Sequence, residues 1–202
     1  MSHYRSNLRD IEFNLFEVLG AGEYYGSGPF ASMDSDQARM LINEFERFTR
    51  ESAWADSFVP SDREPLVLSR EGDITLPVSL EKALREYYAA GWHLLPLPES
   101  LGGFGAPPTL RWIAAELAAG GNATASLWPI GPLMAGIIDR VGTDGQRERF
   151  ARNMVEQAWG GTMVLTEPDA GSDVGAGTTK AIKVADAGPD DLGSPYHLQG
   201  IK

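Results

Sequence analysis

The groups best placed for chemistry lie in one run, Val164-Leu165-Thr166-Glu167-Pro168-Asp169-Ala170-Gly171-Ser172-Asp173-Val174-Gly175-Ala176-Gly177. Thr166 and Ser172 bring hydroxyls that both donate and accept hydrogen bonds. Pro168 has no N–H, so any ladder stops there. Gly171, Gly175 and Gly177 let the backbone turn or come close to a ligand. A short apolar strand ending in such a loop suits hydrogen bonds to a planar heterocycle or to phosphate oxygens. The same residues also suit a hairpin turn with nothing bound, and spacing does not choose between the two. Glu167 and Asp173 read as carboxylates that cap free N–H groups of the loop.

Other chemistries find little support. The 202 residues include no cysteine, which excludes disulfides, zinc–thiolate sites, iron–sulfur clusters and a thiol nucleophile. His3, His93 and His197 stand apart in sequence without ligand spacing, so no metal site is expected. Gly20-Ala21-Gly22 with Gly26 imitates a dinucleotide fingerprint but follows a helical pattern and opens no strand–helix unit. Tyr24-Tyr25 and Tyr87-Tyr88 read as core or interface aromatics. The net charge of -11 argues against a nucleic-acid partner. No apolar run approaches the ~20 residues of a membrane span. The N-terminus lacks a hydrophobic signal region, so a cytoplasmic location is expected.

The elements that must position the run are mostly helical. Leu8, Ile11, Leu15 and Leu19 form one helix face, with Asn7 as cap and Gly20 or Gly22 as stop. Residues 23–32 read as a connector. Asp34 and Gln37 form a capping box for a helix with the stripe Ala38, Leu41, Ile42, Phe45 and Phe48. Further helices are predicted over about 79–90, 109–119, 133–141 and 143–157, the last opened by a Thr143–Gln146 capping box. Between Leu94 and Pro108 the density of Pro and Gly forbids a regular element. After Gly160-Gly161 the pattern turns β: Thr162–Thr166, Thr178–Ala185 and a start at Tyr196–Leu198, separated by an Asp186–Pro195 loop. The fold class is α+β: an all-α N-terminal domain followed by the start of an antiparallel β domain. The divisions fall at 1–30 (extension helix and connector), 31–160 (helical domain) and 161–202 (first β strands, an incomplete sheet).

Leu165-Thr166-Glu167-x-x-Ala170-Gly171-Ser172-Asp173-x-x-Ala176 resembles the signature of the acyl-CoA dehydrogenase family. Gly91-Trp92-His93-Leu94-Leu95 leading into Pro98-Glu99-Ser100-Leu101-Gly102-Gly103 is similar to its Pro-Glu-x-x-Gly-Gly loop. Gly142-Thr143-Asp144-Gly145-Gln146 is similar to its Gly-Thr-x-x-Gln-Lys helix start, and Thr178-Thr179-Lys180-Ala181 to its Thr-Lys-Ala strand. The segment from Ser2 through Glu17 resembles the N-terminal extension of a longer bacterial subfamily that includes fatty-acyl and methylmercaptopropionyl-CoA dehydrogenases.

The resemblance implies an FAD-dependent enzyme that desaturates an acyl-CoA thioester at its α,β bond to the trans-2-enoyl-CoA. It implies that Met163, Val164, Leu165, Thr166, Gly171 and Ser172 bind FAD and that Ser172 also meets the acyl-CoA. It further implies an electron-transfer flavoprotein as electron acceptor and a homo-oligomer when full length. The family's base is a Glu in a C-terminal four-helix bundle, expected beyond residue 202. No catalytic residue is therefore assigned within 1–202, and Glu99, Glu116, Glu156 and Glu167 are not cast as the base. The chain reads as the front part of such an enzyme, inactive alone. A non-catalytic partner subunit, or a flavin-free interaction module of the same fold, is the alternative.

Overall fold

The computed structural model describes residues 3–184, 192 and 194–202. Most elements are helices, and they pack around two cores. Asn7 caps α1 (Leu8–Glu12) by accepting from the Asp10 amide, and the helix runs on as a π-type turn over Phe13–Val18. Its last bond spans five residues, from Leu19 N to the Asn14 carbonyl. This wider turn rotates the expected stripe: Leu15 is buried, but Leu19 points to solvent. Gly20 then stops the helix at φ 59, a left-handed conformation that favours glycine.

α2 (Ser35–Glu51) carries the predicted capping box, with reciprocal bonds between Asp34 and Gln37. Its buried face includes Ala38, Ile42 and Phe45. Two short helices absent from the sequence-based expectation follow, α3 (Ala53–Asp56) and α4 (Phe58–Arg63). Then comes α5 (Val78–Ala89), whose Leu80, Ala83, Leu84 and Tyr87 face inward as expected. α6 (Pro108–Gly121) packs along α2 and closes this core with Leu110 and Leu117.

A smaller core holds Leu97, Leu101, Ala135, Ala151 and Val155. It joins the Pro/Gly-rich 94–108 loop to α7 (Ile130–Val141) and to the run α8 (Asp144–Gln146), a π-type turn (Arg147–Ala151) and α9 (Arg152–Glu156). The Thr143–Gln146 capping box opens that run as predicted. The 94–108 loop is irregular but ordered by its own backbone bonds, such as Gly105 N to the Leu97 carbonyl at 2.8 Å. Gly103 is required there because a Cβ would lie 2.2 Å from the Leu97 carbonyl oxygen.

Two small antiparallel pairs complete the described residues. β1 (Val67–Leu68) pairs with β2 (Ile74–Thr75), a hairpin not expected from the sequence. β3 (Lys180–Lys183) pairs with β4 (Tyr196–Gln199), Lys180 opposite Gln199 and Lys183 opposite Tyr196. The expected strand over 178–185 is thus shorter, and much of the 186–195 loop lies outside the described residues. Residues 162–166, expected to be a buried strand, are exposed and join no ladder. The residue types favour an extended chain, but a ladder needs a neighbouring strand. Among the described residues none pairs with this segment.

Candidate functional site

The 162–177 segment divides into an extended arm and a closed turn. In the arm, Met163, Val164 and Leu165 are 58%, 65% and 45% exposed, and Thr166 is exposed as well. Among the described residues, no backbone–backbone hydrogen bond involves residues 162–166. Three adjacent large apolar side chains and a backbone edge outside any ladder together form a surface suited to a flat, partly polar partner. The turn begins at Glu167, whose N–H and carbonyl exchange bonds with Ala170 at 3.1 Å each. Gly171 and Ser172 follow on the exposed outer loop, and no hydrogen bond joins either of them to residues 163–166. The two halves of the predicted cofactor set are therefore linked through Glu167 and Ala170 and make no direct bond to one another.

Glu167 organises the turn. Its carboxylate accepts from the Thr178 amide at 2.6 Å, the Thr178 hydroxyl at 3.1 Å and the Thr179 amide at 3.0 Å. The Lys202 ammonium donates to it at 2.8 Å. Lys202 and these loop donors hold the carboxyl well below the usual carboxylate range. The expected capping role of Glu167 is therefore observed, with Lys202 as an added partner that sequence spacing does not reveal. Asp173 is exposed at the start of a one-turn helix, Val174–Ala176.

Next to the arm, the helical domain offers apolar concavities. One cleft of about 450 Å³ is lined by Phe45, Trp54, Tyr87, Trp92, Trp112 and Leu133, among others. Its base is tied together: the Trp54 indole N–H donates to the Ala118 carbonyl at 2.8 Å, and the Tyr87 ring lies tilted against Trp54, centroids 5.0 Å apart. Burial pushes the Tyr87 phenol up, so it stays neutral. A second hollow lies between Leu127, Trp128 and Ile130 on one side and residues 160–162 on the other. It leads from the helical domain to the residue before Met163. Sequence reasoning missed both, because their walls come from residues far apart in the chain. The aromatic stretch of α2 and the Trp112 position on α6 are the only local signals. His93 is half-buried against Tyr88, and no group of three or more metal-ligating side chains exists among the described residues.

A mostly helical domain with an inserted Pro/Gly loop, followed by a Thr-Glu-Pro turn, defines a domain of the acyl-CoA dehydrogenase type. The family model "Acyl-CoA dehydrogenase, N-terminal domain" matches residues 35–158, and the chain belongs to this family. It is 41% identical over its whole length to the broad-specificity linear acyl-CoA dehydrogenase FadE5 of Mycobacterium tuberculosis. It is 29% identical over 98% of its length to the 3-methylmercaptopropionyl-CoA dehydrogenase of Ruegeria pomeroyi. A mitochondrial isobutyryl-CoA dehydrogenase of Dictyostelium discoideum is 35% identical over 51% of the chain. The chain spans about a third of the first two relatives' length, 32% of each.

Proposed function

We propose that the chain supplies the helical domain and one flavin wall of an FAD-dependent acyl-CoA dehydrogenase. The reaction is α,β-desaturation of an acyl-CoA thioester to the trans-2-enoyl-CoA. One observation carries this reading: the exposed, apolar 163–166 arm, outside any ladder, begins at the edge of a hollow whose Leu127 wall also lines the aromatic cleft. The residues fit a flavin. The N–H groups at 163–166, the carbonyls there other than that of Leu165, and the Thr166 hydroxyl match the alternating donors and acceptors of the ring's edge. Met163, Val164 and Leu165 match its apolar face.

When bound, the flavin supplies the hydride acceptor. The chain's part is to hold and to exclude. The 163–166 arm would orient the ring, and the Ser172 hydroxyl would meet the acyl-CoA. The aromatic cleft would take apolar acyl carbons away from water. Glu167 is not proposed as the base, because its oxygens are already occupied and its proton affinity is depressed. The α proton is proposed to go to a Glu outside residues 1–202. Electrons are proposed to leave to an electron-transfer flavoprotein, within a cytoplasmic homo-oligomer. No helix among the described residues is long and apolar enough to cross a membrane.

The test is spectroscopic. Full-length protein is expected to purify yellow, and anaerobic acyl-CoA is expected to bleach the flavin band. A protein that carries FAD but is not reduced by any acyl-CoA, or one that binds no FAD, overturns the reading.

A further inference from the structure

A part-buried ion pair is bonded to the exposed arm. Lys202 donates from Nζ to two acceptors at once: the Glu167 carboxylate at 2.8 Å and the Leu165 main-chain carbonyl at 3.1 Å. The Glu167 side chain is 6% exposed and that of Lys202 30%. Glu167 in turn accepts from the amides of Thr178 and Thr179, which lead directly into β3. One ammonium thus ties the middle of the arm to the turn that follows it, and through Glu167 to the start of the hairpin. Lys202 thus ties the arm at the Leu165 carbonyl, where residues 162–166 make no backbone–backbone hydrogen bond among the described residues. Gly200, two residues before Lys202, is packed for this approach: a Cβ there would lie 2.1 Å from the Thr179 hydroxyl oxygen.

We infer that Lys202 and Glu167 are positioning residues for the cofactor wall, the lysine pinning the Leu165 carbonyl so that the neighbouring backbone groups at 163–166 face a planar ligand in one orientation. The inference rests on the flavin reading above. An arm with no ladder would otherwise sample many orientations, and ordering it would subtract from binding. A charge-assisted bond to the Leu165 carbonyl fixes it in advance. The pin also removes that carbonyl from the set available to a ligand, leaving the amides beside it free to donate. Glu167 neutralises the ammonium, so the wall gains a fixed geometry without a net positive charge.

The experiment uses the full-length protein with FAD as the probe. Lys202→Met and Glu167→Gln are each expected to weaken FAD binding about tenfold, the order of one charge-assisted hydrogen bond. Both are expected to change the visible circular dichroism of bound flavin and to speed amide exchange at 163–166. Lys202→Arg is expected to restore all three. If wild-type protein binds no FAD, the flavin reading fails, and unchanged exchange at 163–166 in the variants would still overturn the pin. If wild-type protein binds FAD and both variants match its affinity, dichroism and exchange, the pin alone is overturned. Should Lys202→Met fail to fold, Glu167→Gln, of nearly equal volume, carries the same three readouts.

Discussion

The Asn122 side chain donates to the Ser57 hydroxyl at 2.8 Å inside the helical core. It also donates to the Trp54 carbonyl at 3.2 Å and accepts from the Ala125 amide at 2.9 Å. Asn122 is fully buried, so this one amide joins α3 to the end of α6 and to the segment that walls the cleft. Asn122→Leu keeps the branched shape and heavy-atom count but strands those partners. The expected loss is about 3 kcal/mol, from several buried groups left unpaired. Urea unfolding with an unchanged slope would measure it. A loss under about 0.5 kcal/mol would show that water replaces the amide.

The start of α7 touches the backbone that leads to the arm. A Cβ on Gly131 would lie 1.8 Å from the Trp159 carbonyl oxygen. Backbone cannot yield as a side chain tip does, so Gly131→Ala is expected to cost about 2 kcal/mol and to shift residues 159–161. Gly160 has open space where its Cβ would stand, and Gly160→Ala is expected to stay within about 0.5 kcal/mol of wild type. Comparing the two melting curves isolates the contact from any general effect of losing glycine. Equal melting temperatures would refute the close approach.

What was legible in the sequence followed local rules. The Asp34 and Thr143 capping boxes lie where the residues place them, because each is satisfied within a few positions, and the helix expected to end near 90 is closed by Gly91 at φ 76. α3 and α4 were hidden: such short helices have little intrinsic stability and are held by tertiary contacts such as the wholly buried Trp54. The β1–β2 hairpin was hidden because two-residue strands show no alternation, although Gly72 at φ 94 marks its turn. The Thr-Glu-Pro turn was legible as a loop with a capping carboxylate. Its partner Lys202 was not, since the pair is 35 positions apart. Phe45, Trp54, Tyr87 and Trp112 of the cleft likewise meet only once the helices pack.

The N-terminal segment is strapped to the helical core by a buried acid. Glu46 is 5% exposed and accepts from the Ser6 hydroxyl at 2.7 Å and from Arg50 Nε at 3.0 Å. Tyr4 lies over Gly120 of α6, so close that a Cβ there would meet its ring at 2.4 Å. Ser6→Ala leaves Arg50 to satisfy Glu46, so global stability should fall by no more than about 1 kcal/mol. The strap itself should open more often. Limited trypsin digestion at Arg5 and Arg9 is expected to run about fivefold faster, because cleavage follows the open population. Unchanged cleavage would mean that Tyr4 and the α1 contacts hold the strap without Ser6.

His93 makes the stability of the fold depend on acidity. Its ring lies 4.7 Å from Tyr88, and its buried Nδ1 has no hydrogen-bond partner among the described residues. Burial pushes the imidazole below its ordinary value, because the charged form loses water without gaining a partner. The unfolded chain therefore takes up a proton at higher pH than the folded one, and the folded state is favoured as pH rises. The contribution is fully present above the unfolded value of about 6.5 and shrinks as pH falls below it. It is exhausted once the folded imidazole also protonates. His93→Phe fills the same ring volume and cannot titrate. Its melting temperature is expected to fall less than that of wild type between about pH 7 and pH 5. Parallel melting profiles for the two proteins would assign the acid sensitivity to other groups.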